Sequence, residues 1–262
     1  MRWIRFMTAD GPTFGILHRT VVWQTTGDPF SSFERTGQTF DLHAVSLLVP
    51  IEPGTFYAVG RNYRSHIDAV YRVADPGAKD PDRPEAGYRA NSALIAHGHP
   101  IVIPADAGPV HYEGELVVVI GKEGKHIREA DALGHVFGYT IGNDVSERNW
   151  QKSDRTMWRS KNTDTFKPMG PWIETDADPD AMQTTVMVNG EVTSQFRTSD
   201  MIFGVARYIS AISQYCTLRP GDVIWMGTAG ASPDLKDGDR VEIGISGIGT
   251  LCNTVEKRGD PA

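Results

Sequence analysis

The sequence predicts an α+β fold in which β-strands dominate and a small β-rich domain comes first. Short runs of β-branched and apolar residues recur along the 262-residue chain, and glycines or polar turns bound them, as Gly121 bounds residues 116–120. Asn189-Gly190 separates two such runs and is the dipeptide typical of a tight type I′ hairpin. Few segments show helical spacing, so the pattern favours a mixed, strand-rich fold.

The first fifty residues form a distinct unit. Residues 3–7, 13–18 and 21–25 are strand-like, and breakers such as Asp10-Gly11-Pro12 separate them. Pro50 and Pro53-Gly54 then lead into a different pattern. We therefore predict a small N-terminal β domain over residues 1–50 and a second domain over residues 51–262.

The second domain contains further predicted elements in chain order. Residues 64–73 are compatible with one or two amphipathic turns, and residues 145–158 have helix-compatible spacing. Ser199 or Asp200 can cap a helix that carries Ile202, Val205, Ile209 and Ile212 at helical spacing. Strands are predicted over residues 116–120, 137–144, 184–188, 192–196, 223–226 and 241–245.

Composition narrows the class of protein. The formal charge of −7 offers no basic footprint for nucleic acid. No apolar stretch reaches membrane-spanning length, and the N-terminus lacks a signal-peptide core. Cys216 and Cys252 belong to no Cys-x-x-Cys pair, so we expect reduced core thiols in a cytoplasmic protein, although a single bridge between them stays an alternative.

Two acids stand directly ahead of the apolar run at residues 116–120. Glu113 and Glu115 are two positions apart, and residues i and i+2 of a strand face the same side. Two like charges on a buried face are costly unless a cation lies between them, and a hard divalent ion bound through oxygen meets that need. The alternative is a strand that ends in solvent with two exposed acids.

A third acid favours the metal. Asp144 stands at the C-terminal end of the predicted strand at residues 137–144, about 30 residues after the Glu pair. Taken alone, Asp144 could instead cap the helix that follows it. Together the three carboxylates predict a Mg²⁺ or Mn²⁺ site, with Ca²⁺ as an alternative, that leaves coordination positions open for water and substrate.

The chain resembles the fumarylacetoacetate hydrolase superfamily over about residues 54–256. It is most similar to the single-catalytic-domain members, which include acylpyruvate hydrolases, oxaloacetate decarboxylases and dienedioate isomerases. Seven ordered blocks carry the resemblance: Gly60-Arg61-Asn62-Tyr63 with His66; Tyr112-Glu113 with Glu115; Gly138-Tyr139 with Asn143-Asp144; Lys161 with Asp164-Thr165-Phe166, Pro168 and Gly170-Pro171; Val188-Asn189-Gly190-Glu191; Gly221-Asp222 with Ile224; and Gly227-Thr228.

The resemblance implies a rolled mixed β-sheet, close to a barrel, with the metal at its mouth. It implies that residues 1–50 hold none of the chemistry, that the chain forms a homodimer, and that residues 64–92 are a lid over the metal. The stretch from Asp75 to Pro84 is rich in proline, glycine and charge. From the residues alone, such a loop could equally be a flexible surface excursion.

The resemblance also implies a small-molecule 2-oxo acid substrate. Such an acid chelates a divalent ion, which then stabilises an enolate at C3. Lys161 stands at the family's lysine position, where its ammonium would face the developing oxyanion. Arg61, Gln151, Thr165 and Thr228 match substrate-binding positions. Without this context, Lys161 would be read as a solvated surface lysine and the others as ordinary polar residues.

Two departures from the family pattern bear on the reaction. Many relatives have His-x-x-Glu at the start of the lid, but here Ala69 stands where the Glu would be, and Asp68 comes one residue early. His66 is therefore a catalytic candidate that either lacks its orienting acid or takes one from another position. The alternative is a structural histidine. Arg89 replaces a lysine and could bind a distal carboxylate in two-point fashion, and Ala229 replaces a frequent proline.

The predicted function is a divalent-metal-dependent hydrolase that cleaves a C–C bond of an acylpyruvate-type 2,4-dioxo acid, with His66 as base and Lys161 as oxyanion partner. The alternative on the same site is an isomerase, tautomerase or decarboxylase of a 2-oxo acid. A further alternative is a catalytically silent metal-binding member of the family.

Overall fold

A computed structural model describes residues 1–259 of the chain, so the last three residues of the predicted second domain lie outside the described part. The N-terminal residues form an antiparallel meander that ends in a short return strand. Its strands are β1 Arg2–Thr8, β2 Gly11–His18, β3 Val21–Gly27, β4 Phe33–Asp41 and β5 Ser46–Leu47. The three predicted strands are present. β4 was not predicted, because it is exposed at nearly every position and so has no apolar alternation.

The rest of the chain is also dominated by strands. They are β6 Phe56–Val59, β7 Ala86–Tyr88, β8 Leu94–Ile95, β9 Ile101–Ile103, β10 Val110–His111, β11 Gly114–Ile120, β12 Val136–Asn143, β13 Ser146–Glu147, β14 Lys167–Glu174, β15 Gln183–Val188, β16 Glu191–Arg197, β17 Val223–Trp225, β18 Arg240–Ile245 and β19 Gly249–Lys257.

One large mixed sheet organises the molecule. Its strands run in the order β4-β3-β2-β1-β14-β12-β11-β17-β6-β7, with β5 beside β1 and β8 beside β14. A second sheet has the order β16-β15-β18-β19-β9, and β10 pairs with β13. Most neighbours are antiparallel, but β17 and β6, β19 and β9, and β14 and β8 run parallel. This strand-rich, mixed architecture confirms the predicted fold class.

β11 lies in the interior of the large sheet. It is buried at every position, because Leu116, Val118 and Ile120 pack into one apolar cluster while Val117 and Val119 pack into another on the opposite face. Burial on both faces explains why its sequence is an unbroken apolar run rather than an alternating one. Its neighbour β12 has Gly142 where a Cβ would lie 2.6 Å from the Trp225 ring, so only glycine fits there.

The predicted hairpin is present between β15 and β16. Asn189 and Gly190 have φ values of 54° and 83°, which are the two left-handed conformations that a type I′ turn requires. The strands pair from Val188 and Glu191 back to Gln183 and Arg197.

The helices are short. They are α1 Arg64–His66, followed directly by a π-helical turn Ile67–Tyr71 and by α2 Arg72–Ala74; then α3 Arg148–Ser153, α4 Trp158–Asn162 and α5 Val205–Ser213; and 3₁₀ turns at Leu42–Ala44, Asn91–Ala93, Glu129–His135 and Thr198–Asp200. Among residues 1–259, no helix has the length and hydropathy needed to cross a bilayer.

Two helix predictions were wrong in their limits. Residues 145–158 do not form one helix, because Ser146 and Glu147 pair as a strand and Met157, with φ 54°, interrupts the helical path before α4. The predicted helix at Ser199 or Asp200 begins only at Val205, with Gly204 as its N-cap. Ser199 and Asp200 belong instead to a separate 3₁₀ turn.

The predicted lid segment at residues 64–92 contains three different parts. A helical stretch from Arg64 to Ala74 comes first, a loop follows, and Ala86–Tyr88 then joins the edge of the large sheet as β7. Asp80 fastens the loop to the helical stretch, because its carboxylate accepts from Arg64 Nε at 2.9 Å and from an Arg72 guanidinium nitrogen at 2.7 Å. We call these three side chains the Asp80 latch.

The two cysteines are not bridged. Cys216 and Cys252 are both free and half-buried, so the alternative of a disulfide between them is not observed. Both are partly rather than fully buried, and Cys216 packs against the main apolar cluster.

Candidate metal centre

Three acids meet where β11 begins and β12 ends. Glu113 directly precedes β11, Glu115 is its second residue, and Asp144 directly follows β12. The antiparallel register places Gly114 opposite Asn143. The Asp144 amide donates to the Glu113 carbonyl at 2.8 Å, and the Asn143 side chain accepts from the Glu113 amide at 3.0 Å. One carboxylate oxygen from each acid lies within 4.8 Å of the others.

All three acids are buried, with exposed fractions of 5% for Glu113, 1% for Glu115 and 1% for Asp144. Burial acts to raise the pKa of Glu113, but the positive charges of Lys161 and Arg148 outweigh it and lower that pKa to about 2. Burial also opposes ionisation of Asp144, and the charges of Arg89, Lys161 and Lys167 hold its pKa well below its usual range.

Glu115 differs from the other two acids. Within the described residues it forms no ion pair, and one oxygen accepts from the Gly227 amide at 2.8 Å. Burial and the neighbouring negative charges of Asp144 and Glu113 raise the pKa of Glu115 well above its ordinary value. Its charge is therefore poorly compensated by the chain itself.

Four cationic side chains surround the acids. Lys161 Nζ lies 2.6 Å from Glu113 Oε2 and 3.0 Å from Asp144 Oδ2. Arg148 contacts Glu113 Oε1 at 2.7 Å, and Lys167 Nζ contacts Asp144 Oδ1 at 2.7 Å. The Arg89 guanidinium binds both Asp144 oxygens, at 3.2 and 2.9 Å.

This donor set fits a hard divalent cation. Carboxylate oxygens are the ligands that Mg²⁺ and Mn²⁺ prefer. An ion held by Glu113, Glu115 and Asp144 would supply the positive charge that is missing beside Glu115. The alternative of exposed acids at a strand end is not observed, because all three are buried. Asp144 does not cap the following helix, since that role belongs to Glu147, whose carboxylate accepts from the Trp150 amide.

His66 lines the same cavity and is 7% exposed. Its Nδ1 lies 2.5 Å from the carbonyl oxygen of Gly230. A carbonyl only accepts, so Nδ1 carries the proton and Nε2 is the basic nitrogen. Burial is the main cause that lowers the pKa of His66 below its ordinary value, and the charges of Arg148 and Lys161 act in the same direction.

No carboxylate orients His66 in the way that the family pattern implies. Asp68 pairs with Arg72 on the exposed side of the helical stretch. Ala69 has no group to offer. The orienting partner is instead the backbone of Gly230, which follows the Gly227-Thr228-Ala229 turn after β17.

The other predicted substrate residues divide into two groups. Arg61, Arg89, Gln151 and Thr228 line the cavity with Tyr71 and Met157. Thr165 does not line it, because its hydroxyl lies on the backbone of β9 and accepts from the Val102 amide at 2.8 Å. The structure thus brings together nine of the ten predicted site residues and leaves Thr165 outside.

The cavity between these residues has a volume of about 50 Å³. Ligand pockets usually measure about 300–1,000 Å³, so a substrate needs movement of the surrounding segment to enter. A larger cavity of about 490 Å³ lies beside β6, β7 and α5, but none of the three acids lines it. Cavity size alone would therefore not identify the site that contains the three acids.

Sequence reasoning missed Arg148 and Lys167. Arg148 bridges Glu113 and Gln151, whose Oε1 it contacts at 2.8 Å. Its spacing of three residues from Gln151 on a helix was a usable signal. Lys167 is fully buried, and burial lowers its pKa to about 7 despite the opposing charge of Asp144. A lysine at the start of the mostly apolar run of β14 was the corresponding signal for Lys167.

Comparison with known proteins identifies the family. A family model described as fumarylacetoacetate (FAA) hydrolase C-terminal matches residues 55–256, which is most of the chain. The chain belongs to the fumarylacetoacetate hydrolase family. The resemblance inferred from the sequence blocks is thereby confirmed. A second family model, described as Rv2993c-like, N-terminal, matches residues 1–50.

Relatives in this family carry several activity names. Protein Rv2993c of Mycobacterium tuberculosis is 43% identical, over 89% of this chain and 87% of its own. Oxaloacetate tautomerase YisK of Bacillus subtilis is 34% identical, over 87% of this chain and 77% of its own.

Solved structures of the family agree with the fold. A structure named 2-hydroxyhepta-2,4-diene-1,7-dioate isomerase from Mycobacterium marinum is 39% identical with a TM-score of 0.89, over 99% of this chain and 100% of that one. Maleylpyruvate hydrolase from Sphingobium sp. SYK-6, in complex with manganese(II) and pyruvate, is 27% identical with a TM-score of 0.80, over 99% and 100%. The chain is therefore similar to enzymes of this family, whose named reactions differ.

Proposed function

We propose that this protein is a divalent-metal-dependent isomerase that interconverts the enol and keto forms of a 2-oxo dicarboxylic acid. The observation that carries the proposal is the setting of His66, whose Nδ1 is held by the Gly230 carbonyl and which no carboxylate contacts among the described residues. The names of the Bacillus subtilis tautomerase and the Mycobacterium marinum isomerase support the same reaction class.

Glu113, Glu115 and Asp144 would hold the ion. A Mg²⁺ or Mn²⁺ ion there would supply Lewis-acid polarisation of the 2-oxo acid, which makes the enol and enolate forms accessible. The manganese complex of the Sphingobium relative supports this class of ion. The remaining chemistry depends on protons and on orientation, and side chains of this chain can provide both.

His66 suits the transfer of a proton between oxygen and carbon. Its neutral imidazole presents a basic Nε2, because Nδ1–H donates to Gly230. The lowered pKa means that the imidazolium is a ready acid once it has formed. Such a group can take the enol proton of the substrate and return a proton to C3. Activating water is harder for it, since among the described residues no carboxylate is hydrogen-bonded to the imidazole.

Lys161 and the arginines would orient the substrate. The ammonium of Lys161 lies between Glu113 and Asp144, so a substrate oxygen that reaches the acids also approaches this positive charge. Its charge would stabilise an enolate oxygen. Arg89 lines the cavity and would bind the distal carboxylate, while Arg61, Gln151 and Thr228 provide further hydrogen-bonding groups along the cavity wall.

Hydrolysis of an acylpyruvate is the second candidate. The specific support is the maleylpyruvate hydrolase of Sphingobium, whose structure covers 99% of this chain. It would require His66 to activate water without the carboxylate partner that relatives place at position 69. Decarboxylation of oxaloacetate would use the same acids and Lys161 but no activated water.

A direct test compares three substrates with Mn²⁺ present. Loss of enol absorbance from the enol form of oxaloacetate, pyruvate release from acetylpyruvate and CO₂ release from oxaloacetate are followed in parallel. Enol loss should be the fastest, and C3 of oxaloacetate should exchange with deuterium. Cleavage of acetylpyruvate that is faster than enol loss would reject the isomerase and support the hydrolase.

Substitution of His66 tests its proposed role in proton transfer. His66→Ala should lower kcat for the enol–keto conversion by about 10²–10⁴-fold, the usual span for general acid–base catalysis. Mn²⁺ affinity should not change, because His66 is not a ligand. Asp68→Asn is the matched control, since Asp68 pairs with Arg72 away from the imidazole, and its rate should equal that of the unmodified enzyme.

We also propose that the enzyme is cytoplasmic and works as a homodimer. Two unbridged cysteines are consistent with a reducing compartment. Light scattering coupled to size exclusion would give the subunit number, and a mass equal to one chain at micromolar concentration would contradict the dimer.

A further inference from the structure

Arg89 forms a bidentate pair, or two-point fork, with Asp144. Its Nε and one terminal nitrogen bind Oδ1 and Oδ2 of the carboxylate, at 3.2 and 2.9 Å. The Arg89 side chain is only 9% exposed, so solvent screens this pair weakly. A divalent ion that takes an Asp144 oxygen therefore competes directly with the guanidinium.

Lys167 contacts the same carboxylate but is anchored differently. Its three ammonium hydrogens have three acceptors, namely Asp144 Oδ1, the Val145 carbonyl at 2.9 Å and the Phe166 carbonyl at 2.8 Å. It is fully buried on β14, inside the large sheet. Moving Lys167 away from Asp144 would take this donor from the buried Val145 carbonyl, so Lys167 stays in place.

Arg89 is held far less firmly. It directly follows β7, a strand of three exposed residues at the edge of the large sheet, which within residues 1–259 pairs with β6 alone. Beyond Asp144, its side chain has one further acceptor, the Tyr88 carbonyl at 3.1 Å. Lys161 also contacts Asp144, at 3.0 Å, but it pairs more closely with Glu113, at 2.6 Å. Of the three cations at Asp144, Arg89 is the one that can leave.

We infer that Arg89 couples divalent-ion binding to recognition of a dicarboxylate. The guanidinium competes with the ion for Asp144, and once displaced it is free to make the same fork with the distal carboxylate of the substrate. The ion and a dicarboxylic ligand therefore strengthen each other's binding through one side chain. The dicarboxylate half rests on the proposed function, whereas the competition for Asp144 does not.

The first measurement concerns the ion alone. Calorimetric titration with Mn²⁺ should show roughly tenfold tighter binding in Arg89→Met, which lies within the 5–150-fold span usual for coupled sites. Arg89→Lys keeps the charge but loses the fork, so its affinity should fall between the two. Arg83→Met is the matched control, because Arg83 is 76% exposed and pairs with Glu85 away from the acids, and its affinity should equal that of the unmodified protein.

Thermal melting first establishes that both Arg89 variants are folded. The inferred competition for Asp144 is overturned if both variants then bind Mn²⁺ no more tightly than the unmodified protein. Two variants are used because Arg89 is buried and its replacement by methionine can perturb folding. If only Arg89→Lys folds, unchanged affinity in that variant is sufficient to overturn it.

The second measurement compares malate with lactate at saturating Mn²⁺. Both chelate through a carboxylate and a 2-hydroxyl, and only malate has a distal carboxylate. The unmodified protein should prefer malate by roughly tenfold, and Arg89→Met should bind the two about equally, since a two-point pair is lost. A malate preference that persists in Arg89→Met overturns the dicarboxylate half. Both measurements record binding and neither involves turnover. They therefore test the role of Arg89 even if the protein proves not to be an isomerase.

Discussion

Glu115 stands apart among the residues of the metal centre, because it is a buried carboxylate without an ion pair in the described chain. Its replacement by the isosteric glutamine, Glu115→Gln, should have opposite effects on folding and on binding. The protein in EDTA should melt at a higher temperature, since a poorly compensated buried charge is removed. Mn²⁺ should no longer raise the melting temperature, because one of three ligands is lost.

The effect of Glu115→Gln should depend on pH. The pKa of Glu115 is raised above its ordinary 4.5, so the folded state holds this proton more tightly than the unfolded chain. Stability is then lost as pH rises from the unfolded pKa towards the folded one. The gap in melting temperature should be near zero at about pH 4 and widen as pH increases.

Melting curves in EDTA across this range check the prediction. Glu123→Gln is the control, because the Glu123 side chain is 67% exposed and its nearest cationic partner, Arg219, is 3.9 Å away. An unchanged gap between acidic and neutral pH would contradict the raised pKa of Glu115.

The sequence predicted the acids better than their partners. Glu113, Glu115 and Asp144 follow from strand alternation and from the ends of two adjacent strands, which are local features. The contacts of Lys167 and Arg148 with these acids depend on how β14 and α3 pack against those strand ends, so the local signals at the two residues do not by themselves reveal their partners. Thr165 matched a motif position, but φ 72° at this residue turns its hydroxyl to Val102 instead.

At the scale of elements, the Asp80 latch determines how easily the loop at residues 75–85 opens. Asp80→Asn removes the charge that Arg64 and Arg72 share, so amide exchange in this loop should become several-fold faster. The global melting temperature should hardly move, because exposed ion pairs contribute little to overall stability.

Hydrogen exchange followed by mass spectrometry measures this, with Asp82→Asn as the control for charge alone. Oxalate with Mn²⁺ should slow exchange in the same loop of the unmodified protein, as expected of a closing lid. Equal exchange with and without oxalate would mean that the loop is only a surface excursion.

The observed ends of strands and helices show where the sequence pattern does not predict the structure. β4 has charged and polar residues along most of its length, and its strand character comes from pairing with β3. The helix expected over residues 145–158 is divided because Glu147 is needed as a cap for α3 and as a strand partner of Val110. Tertiary pairing overrides local propensity in both places.

For the whole molecule, the junction between β1 and β14 joins the two predicted domains in one sheet. Arg2 pairs with Glu174 and Trp3 with Ile173, and Trp3 is 3% exposed in an apolar cluster with residues of both units. Trp3→Ala should therefore destabilise the entire chain by about 3–5 kcal/mol in a single unfolding transition.

Urea unfolding followed by circular dichroism and by Mn²⁺ binding checks this prediction. Trp158→Ala is the control, since that side chain is 64% exposed and should cost little. Two separate transitions in Trp3→Ala would show that residues 1–50 unfold independently. The composition change near Pro50 predicted a boundary along the chain, but long-range pairing through β14 was not visible in it.

The short strand β7 should limit the rate at which the protein takes up Mn²⁺. β7 has three residues, pairs only with β6, and connects the loop of the Asp80 latch to Arg89. Opening the loop and releasing Arg89 from Asp144 can therefore occur as one motion of this strand. The rate of Mn²⁺ uptake should then rise with ion concentration only up to a plateau, at the frequency with which β7 detaches. Stopped-flow mixing would locate that plateau, and Asp80→Asn should raise it.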